Sequence, residues 1–160
     1  MKRWNLDYYT VFIPELDEQH KKLFTHMVEF IELVRQGTGT EELIPLLNFL
    51  EEYSKEHFAA EEAAMAQYDC RTKELNVEEH RNFGQRLAAF KAELAENGAS
   101  LDLAGRVHKE LYLWFIGHIA RIDKALCEVV DEKPAKTIHQ SIDIDNLTNK
   151  CEKRSGIWGE

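Results

Sequence analysis

The chain has 160 residues, of which 44% are apolar and 31% are charged, and its formal net charge is −9. This length favours a single domain, and the composition is typical of a soluble globular protein. The negative charge argues against binding to a nucleic acid or to an anionic membrane, because both require clustered cations.

The cysteines and the first residues predict a location. The opening stretch MKRWNLDYYTVF has polar and acidic residues where a signal peptide has its apolar segment. No apolar run approaches the roughly 18 residues of a membrane-spanning helix. Cys70, Cys127 and Cys151 are far apart and odd in number, so they form neither a disulfide framework nor a paired-cysteine zinc motif. We therefore expect a protein of the reducing cytoplasm.

Apolar residues that recur every three or four positions predict helices and no strand. The first helix is predicted over about 17–36, where the apolar positions are Leu23, Phe24, Met27, Phe30, Ile31 and Val34. The stretch GTGT ends it, and Thr40 is expected to cap a second helix over about 41–68. Pro45 is close enough to the start of that helix to be tolerated.

The second half of the chain predicts two more helices. The third is expected over about 72–96, and the fourth from its cap at Ser100 to about residue 131, with Pro134 beyond as a stop signal. Short connections between long helices imply antiparallel neighbours. The sequence therefore predicts an all-α fold, an antiparallel up-down-up-down four-helix bundle, within residues 1–132.

Both ends of the chain lie outside the helical pattern. Residues 133–160 are polar with weak periodicity, and we expect a tail or linker there. Residues 1–16 are too aromatic for a free tail, so we predict an N-terminal arm packed on the bundle. Its aromatic and proline residues are Trp4, Tyr8, Tyr9, Phe12 and Pro14.

Each predicted helix carries a histidine that could bind a metal ion, and two helices add a carboxylate. The six candidates are His20, His57, Glu61, His80, His118 and Asp123. Taken alone, a helical histidine is more often a surface or hydrogen-bonded residue than a ligand. We assign His26, His108 and His139 to that ordinary class.

The combination of candidates favours a metal site over that ordinary role. His57 and Glu61 are four positions apart and share one face of a helix. Apolar neighbours such as Phe58 and Ile116 are poor surroundings for an unpaired charge, and metal ligation would remove this conflict. The core of a helical bundle is also a common place for paired iron ions.

The spacing between His118 and Asp123 does not fit a regular helix. Five residues at about 100° each leave the two side chains roughly 140° apart. Either they lean toward a common point, or the helix contains a π-bulge between them.

Four short stretches, taken in order, resemble the hemerythrin family, specifically the bacterial hemerythrin-like domains. They are DEQHK, HFAAE, NVEEH and HIARID, and the resemblance extends over about residues 4–130. The family motif is a histidine in Asp-x-Gln-His-Lys, then His-x-x-x-Glu, His-x-x-x-His and His-x-x-x-x-Asp. Trp4 and Trp114 also lie where the family often has tryptophan.

The resemblance implies a non-heme centre of two iron ions with an oxo or hydroxo bridge. His20 and His57 would hold one ion, and His80 and His118 the other. The two carboxylates of the set would bridge them. In the family, O2 binds at the iron that has two histidines, because that iron keeps an open position.

Some positions depart from the family pattern. Phe115 stands where a leucine commonly lines the O2 pocket, so we expect a narrower pocket, and we assign Ile119 to the same pocket. Cys70 and Arg71 stand where the family often has Tyr-Pro, which predicts a different loop before the third helix.

The most important departure is Asn76, which occupies the place of a third histidine on one iron. Its amide could be a weak oxygen ligand, it could hydrogen-bond a water molecule in the free position, or the site could be degenerate and hold little metal. An iron with one nitrogen donor fewer is expected to admit water and small anions more easily and to oxidise more readily. This favours sensing or turnover over storage.

We therefore predict a non-enzymatic protein that binds O2 or small anions as an oxygen or redox sensor, with residues 133–160 connecting it to an output domain or partner. One alternative is a di-iron oxidase or peroxidase-like enzyme, for which Glu62 or Glu79 could move protons. A second alternative is an O2 carrier or storage protein. A third is a bundle that binds zinc or no metal and acts through protein contacts.

Overall fold

A computed structural model describes residues 9–130, and within them the chain forms four α-helices, no strand and one 3₁₀ helix. The elements are α1 (Pro14–Gln36), α2 (Gly39–Gln67), α3 (Lys73–Asn97), α4 (Leu101–Arg121) and the 3₁₀ helix Asp123–Glu128. Each α-helix packs on the next, and α1 packs on α4, which closes the bundle. The predicted all-α, four-helix fold is confirmed. No helix in this part of the chain has the length and apolar character needed to cross a membrane.

Local signals explain most helix ends. At the end of α1, Gly37 adopts the left-handed conformation (φ 82°), which glycine tolerates best, and its amide bonds to Val34 O. Ser100 caps α4 as predicted, because its Oγ accepts a hydrogen bond from Leu103 N at 3.1 Å. The prediction for Thr40 is wrong, since Thr38 occupies the N-cap position of α2.

The predicted end of the fourth helix is also wrong. The regular α-helix stops at Arg121, and Ile122 (φ −111°, ψ −60°) starts a change to the 3₁₀ helix. The carbonyl oxygen of Ile122 accepts a hydrogen bond from Ala125 N, three residues ahead, as a 3₁₀ helix requires. The chain beyond Arg121 therefore leaves the regular α-helical geometry of α4.

The buried apolar residues form two clusters. The larger one fills the space between the four helices. The smaller one, which we call the end cluster, joins the residues before α1, the end of α2 and the 3₁₀ helix. Its members are Val11, Leu16, Met65, Cys70, Ile122, Ala125, Leu126 and Val130.

The described part of the predicted arm, residues 9–13, packs on the bundle through the end cluster. Val11 is fully buried, and its backbone amide donates to the Asp17 carboxylate at 2.8 Å. The Thr10 hydroxyl donates to the same carboxylate at 2.6 Å. Trp4, Tyr8 and the predicted tail 133–160 lie outside the described residues, so the domain limits at both ends stay predictions.

His108 does not fit its predicted role as a surface or hydrogen-bonded residue. It lies inside the bundle with 3% of its surface exposed, and neither ring nitrogen has a hydrogen-bond partner within residues 9–130. Burial lowers the pKa of this imidazole to about 4. His26, by contrast, is hydrogen-bonded as expected, through Nδ1 and Lys22 O.

We expect the His108→Leu variant to be less sensitive to acid than the parent. Between its unfolded pKa of 6.5 and its folded pKa of about 4, His108 binds a proton only in the unfolded state, so the free energy of unfolding falls as the pH falls. The advantage of the variant should therefore grow by about 1.4 kcal/mol for each pH unit in this window. Denaturant titrations at several pH values measure it, with His26→Gln as the control. Parallel pH profiles of parent and variant would contradict the account.

Candidate metal centre

The antiparallel order of the helices brings the six predicted ligands to one end of the bundle. The early turns of α1 and α3 lie there beside the late turns of α2 and α4. All six side chains are buried, with at most 5% of their surface exposed. They are His20, His57, Glu61, His80, His118 and Asp123. The structure therefore places every predicted ligand in a single buried cluster.

The carboxylate of Glu61 lies between the histidines. Its Oε1 is 3.4 Å from His20 Nε2. Its Oε2 is 3.1 Å from His80 Nε2 and 3.9 Å from His118 Nε2. The two oxygens of one fully buried carboxylate thus face opposite sides of the cluster.

Asp123 divides its oxygens in the same way. Its Oδ2 is 3.5 Å from His20 Nε2, and its Oδ1 is 3.1 Å from His118 Nε2. The π-bulge offered from the sequence is absent, because α4 ends at Arg121, whereas the other explanation, side chains that lean toward a common point, agrees with the contact between Asp123 and His118. The helix ends at Arg121, and the 3₁₀ helix that follows turns Asp123 toward His118.

Two of the histidines are oriented by oxygen atoms behind them. His57 Nδ1 lies 2.9 Å from Gln19 Oε1, and His80 Nδ1 lies 2.8 Å from Glu62 Oε1. Because these oxygens only accept, each Nδ1 is the donor, and the lone pair of Nε2 is left toward the cluster. Neither partner was assigned this role from the sequence, although each is adjacent to a predicted ligand.

Aromatic side chains cover the His80 and His118 side of the cluster. Phe58 stacks on His80 at 3.7 Å between ring centroids, and Trp114 stacks on His118 at 4.4 Å. The Trp114 indole N–H donates to Glu79 Oε2 at 3.1 Å. Glu79 therefore holds an aromatic ring in place, which differs from the proton transfer considered for the enzyme alternative.

Asn76 is fully buried on the same side. Its Nδ2 donates to Glu61 Oε2 at 3.4 Å, and its Oδ1 has no hydrogen-bond partner in the described part of the chain. The carboxamide therefore contacts the carboxylate that both histidine pairs share.

The donor set fits a bound cation. Both Asp123 oxygens, Glu61 Oε1 and both His20 nitrogens are buried without an aligned hydrogen bond among residues 9–130. Buried carboxylate oxygens without partners are costly, and metal ligation would offset that cost. Two groups have ligand atoms within 4.8 Å of one another and could each hold a metal ion: His20, His57 and Glu61, and Glu61, His80 and His118. Imidazole nitrogens and carboxylate oxygens together suit iron.

The cluster holds positive charge even without a metal. Burial opposes a proton on His118, but the nearby Asp123 carboxylate outweighs it and raises the His118 pKa to about 9. Glu61 similarly raises the pKa of His20 against the effect of burial. Burial lowers the pKa of His57 to about 3 and raises the pKa of Asp123. Burial also acts to raise the pKa of Glu61, but hydrogen bonds from the histidines hold it well below its usual value.

A small apolar cavity adjoins the cluster. His57, His118 and Asp123 form its polar side, and Leu23, Met27, Leu50, Ser54, Phe58, Phe83, Trp114 and Phe115 line the rest. Its volume, measured for the centre of a water-sized sphere, is about 10 Å³, which is close to the room that one water molecule needs. Phe115 lines this space as predicted. Ile119 is fully buried but is not among the lining residues, so its predicted place in the pocket is not supported.

Metal binding should release protons. At about pH 7, His118 carries a proton that it must lose to become a ligand, so we expect at least one proton per chain to be released. The apparent affinity should then rise about tenfold for each pH unit up to about 9. Calorimetric titration of metal-free protein with Fe²⁺, in two buffers of equal pH and different ionisation enthalpy, measures the release. The His26→Gln variant should behave as the parent, and equal heats in both buffers would refute the expected release.

Comparison with protein-family models gives one match. The model described as the Hemerythrin HHE cation binding domain matches residues 11–130, from the arm to the end of the 3₁₀ helix. This span contains all six residues of the buried cluster. Comparison with curated proteins gives no match.

Proposed function

The chain belongs to the hemerythrin family, and on this premise we propose that it is a non-heme di-iron protein that binds O2 and acts as an oxygen or redox sensor. The observation that carries the proposal is the division of two buried carboxylates between two sides of one cluster. Glu61 and Asp123 each direct one oxygen toward His20 and the other toward the opposite histidines. A carboxylate arranged in this way is suited to bridge two ions.

The protein residues divide into two halves with a shared centre. His20 and His57 would hold one iron ion, His80 and His118 the other, and the two carboxylates would be common to both. The bound iron would supply the change of oxidation state that accompanies reversible O2 binding. The surrounding chain orients the imidazoles through Gln19 and Glu62 and excludes water with apolar side chains.

The cavity beside the cluster supports a very small ligand. Its volume of about 10 Å³ suits a molecule close to water in size, such as O2 or a small anion. An organic substrate would need much more room, which favours ligand binding over the oxidation of such a substrate. The ring of Phe115, 6.0 Å from that of His20, fills space that a leucine would leave open.

Asn76 supports sensing over storage. The neutral amide leaves the charge of the site unchanged relative to a neutral histidine, but it removes one nitrogen donor from the His80 and His118 half. That half would then also have a position open to water and small anions, which promotes oxidation. We also propose that residues 133–160, outside the described part of the chain, connect to an output partner in the cytoplasm.

Metal analysis combined with visible spectra tests the proposal. We expect two iron ions per chain, a colour change with O2 that reverses when O2 is removed, and a new absorption band on adding azide. The Glu61→Gln variant should lose iron, whereas Glu78→Gln, an exposed residue on α3, should keep it. Rapid turnover of peroxide would favour the enzyme alternative instead, and a colourless protein without iron would overturn the proposal.

We expect the Asn76→His variant to slow oxidation of the ferrous protein in air by roughly tenfold, or ~1.4 kcal/mol in the barrier, because the added imidazole occupies the open position. The rate is measured from the visible spectrum after mixing anaerobic protein with air. Asn48→His makes the same chemical change on the exposed face of α2 and should leave the rate unaltered. An unchanged or faster rate for Asn76→His would count against an open position at residue 76.

A further inference from the structure

The segment that carries Asp123 is held by the connection between α2 and α3. The hydroxyl of Thr72 donates to the carbonyl oxygen of Ile122 at 3.1 Å, one residue before Asp123. The same carbonyl accepts the first hydrogen bond of the 3₁₀ helix, from Ala125 N at 3.1 Å. Both lone pairs of this oxygen are therefore used at the point where α4 ends.

Thr72 makes this contact in place of the capping hydrogen bond that a threonine usually makes at the start of a helix. It occupies the N-cap position of α3, where a threonine hydroxyl commonly accepts from the first helical amides, yet its side chain makes no capping bond. Its single hydroxyl hydrogen goes to Ile122, so the Cys70 thiol, 3.4 Å away, is the donor to Thr72 Oγ1. Cys70 is fully buried and Thr72 is half-buried, so this chain of hydrogen bonds runs from the interior toward the surface.

A second contact holds the other end of the 3₁₀ helix. The Arg71 guanidinium binds both carboxylate oxygens of Glu128, at 2.9 and 2.8 Å. Both side chains are largely exposed, so this pair adds little stability. Its planar, two-point geometry nevertheless joins the end of the 3₁₀ helix to the same α2–α3 connection that Thr72 joins to its start.

These contacts counter the arrangement that a regular helix would give. If α4 continued without a break, Asp123 would lie roughly 140° from His118 around the axis. In the structure, Asp123 Oδ1 lies 3.1 Å from His118 Nε2. The carbonyl of Ile122 is the last group before the change of direction, and Thr72 is the side chain that binds it.

We propose that Thr72 is a positioning residue that holds the carboxylate of Asp123 between the two histidine pairs, and that iron affinity therefore depends on its hydroxyl. The part that concerns iron rests on the function proposed above. The part that concerns the segment does not, because the hydrogen bonds are made by the chain itself.

The Thr72→Val variant tests this role, since valine keeps the shape and removes the hydroxyl. We expect Fe²⁺ affinity, measured by anaerobic competition with a chelator, to fall about ten- to a hundredfold. Thr72→Ser should restore it to near the parent value. Thr38→Val is the matched control, because Thr38 is also an N-cap residue without a capping bond whose hydroxyl donates to a backbone carbonyl, that of Leu33.

Amide hydrogen exchange of the metal-free proteins separates the two parts of the proposal. Residues 123–128 should exchange faster in Thr72→Val than in the parent, and Thr72→Ser should exchange as the parent does. Faster exchange with unchanged Fe²⁺ affinity would overturn the positioning role and leave a purely structural one. Unchanged amide exchange of residues 123–128 in Thr72→Val would overturn the proposal that Thr72 holds this segment. A parent protein that takes up no iron would refute the proposed function, and exchange alone would then decide whether Thr72 holds the segment.

Discussion

Two carboxylates without exposure to solvent, Glu61 and Asp123, impose the constraint on which the rest of the site depends. Burial raises the pKa of Asp123, and the nearby Glu61 carboxylate raises it further. The negative charges of the two carboxylates are offset only when positive charge lies between them. In the metal-free chain, the raised pKa values of His118 and His20 favour protons there, and a bound cation would replace them. The imidazoles of His20 and His118 would therefore serve in two states, one with a proton and one with a metal ion.

The packing below the cluster follows from this constraint. Water weakens the electrostatic attraction between charged groups, so the end of the bundle must exclude water from the cluster. The arm and the 3₁₀ helix close it together through the end cluster, in which Val11 and Leu126 are fully buried. The Thr10 carbonyl joins the two pieces by accepting from the Cys127 thiol at 3.1 Å and from Lys124 Nζ at 3.1 Å. The 3₁₀ helix that carries Asp123 is thus also part of the packing that closes this end of the bundle.

The sequence predicted what depends on local signals and failed where distant contacts decide. Helical periodicity and the Ser100 cap are local, and the order of the ligand motifs was enough to find the six clustered side chains. The end of α4 could not be predicted in this way, because Ile122, Ala125 and Leu126 continue a helical spacing. At the break, the carbonyl oxygen of Ile122 is bound by Thr72, which is 50 residues away in the chain.

Side-chain partners were equally hidden from the sequence. Gln19 precedes His20 directly, yet it orients His57 from another helix. His108 has the spacing of an ordinary helical residue, and only the packing of its neighbours shows that it is buried without a partner. In both cases the residue type was visible in the sequence, whereas its surroundings depended on which helix faces which.

Three of the departures from the pattern that the resemblance implies lie in one connected region, whereas the fourth, Phe115, lies beside His20. Cys70 and Arg71 differ from the Tyr-Pro that the resemblance leads one to expect, and Asn76 differs from the expected histidine. Thr72 lies between them. Its carbonyl oxygen accepts a hydrogen bond from the backbone N–H of Asn76 at 2.8 Å, and its hydroxyl donates to the carbonyl oxygen of Ile122. These contacts reach the two carboxylates of the cluster, because Asn76 Nδ2 donates to Glu61 Oε2 and Thr72 binds the residue before Asp123. The residue at position 76 and the loop before it would therefore both act on the carboxylates that the two sides of the cluster share.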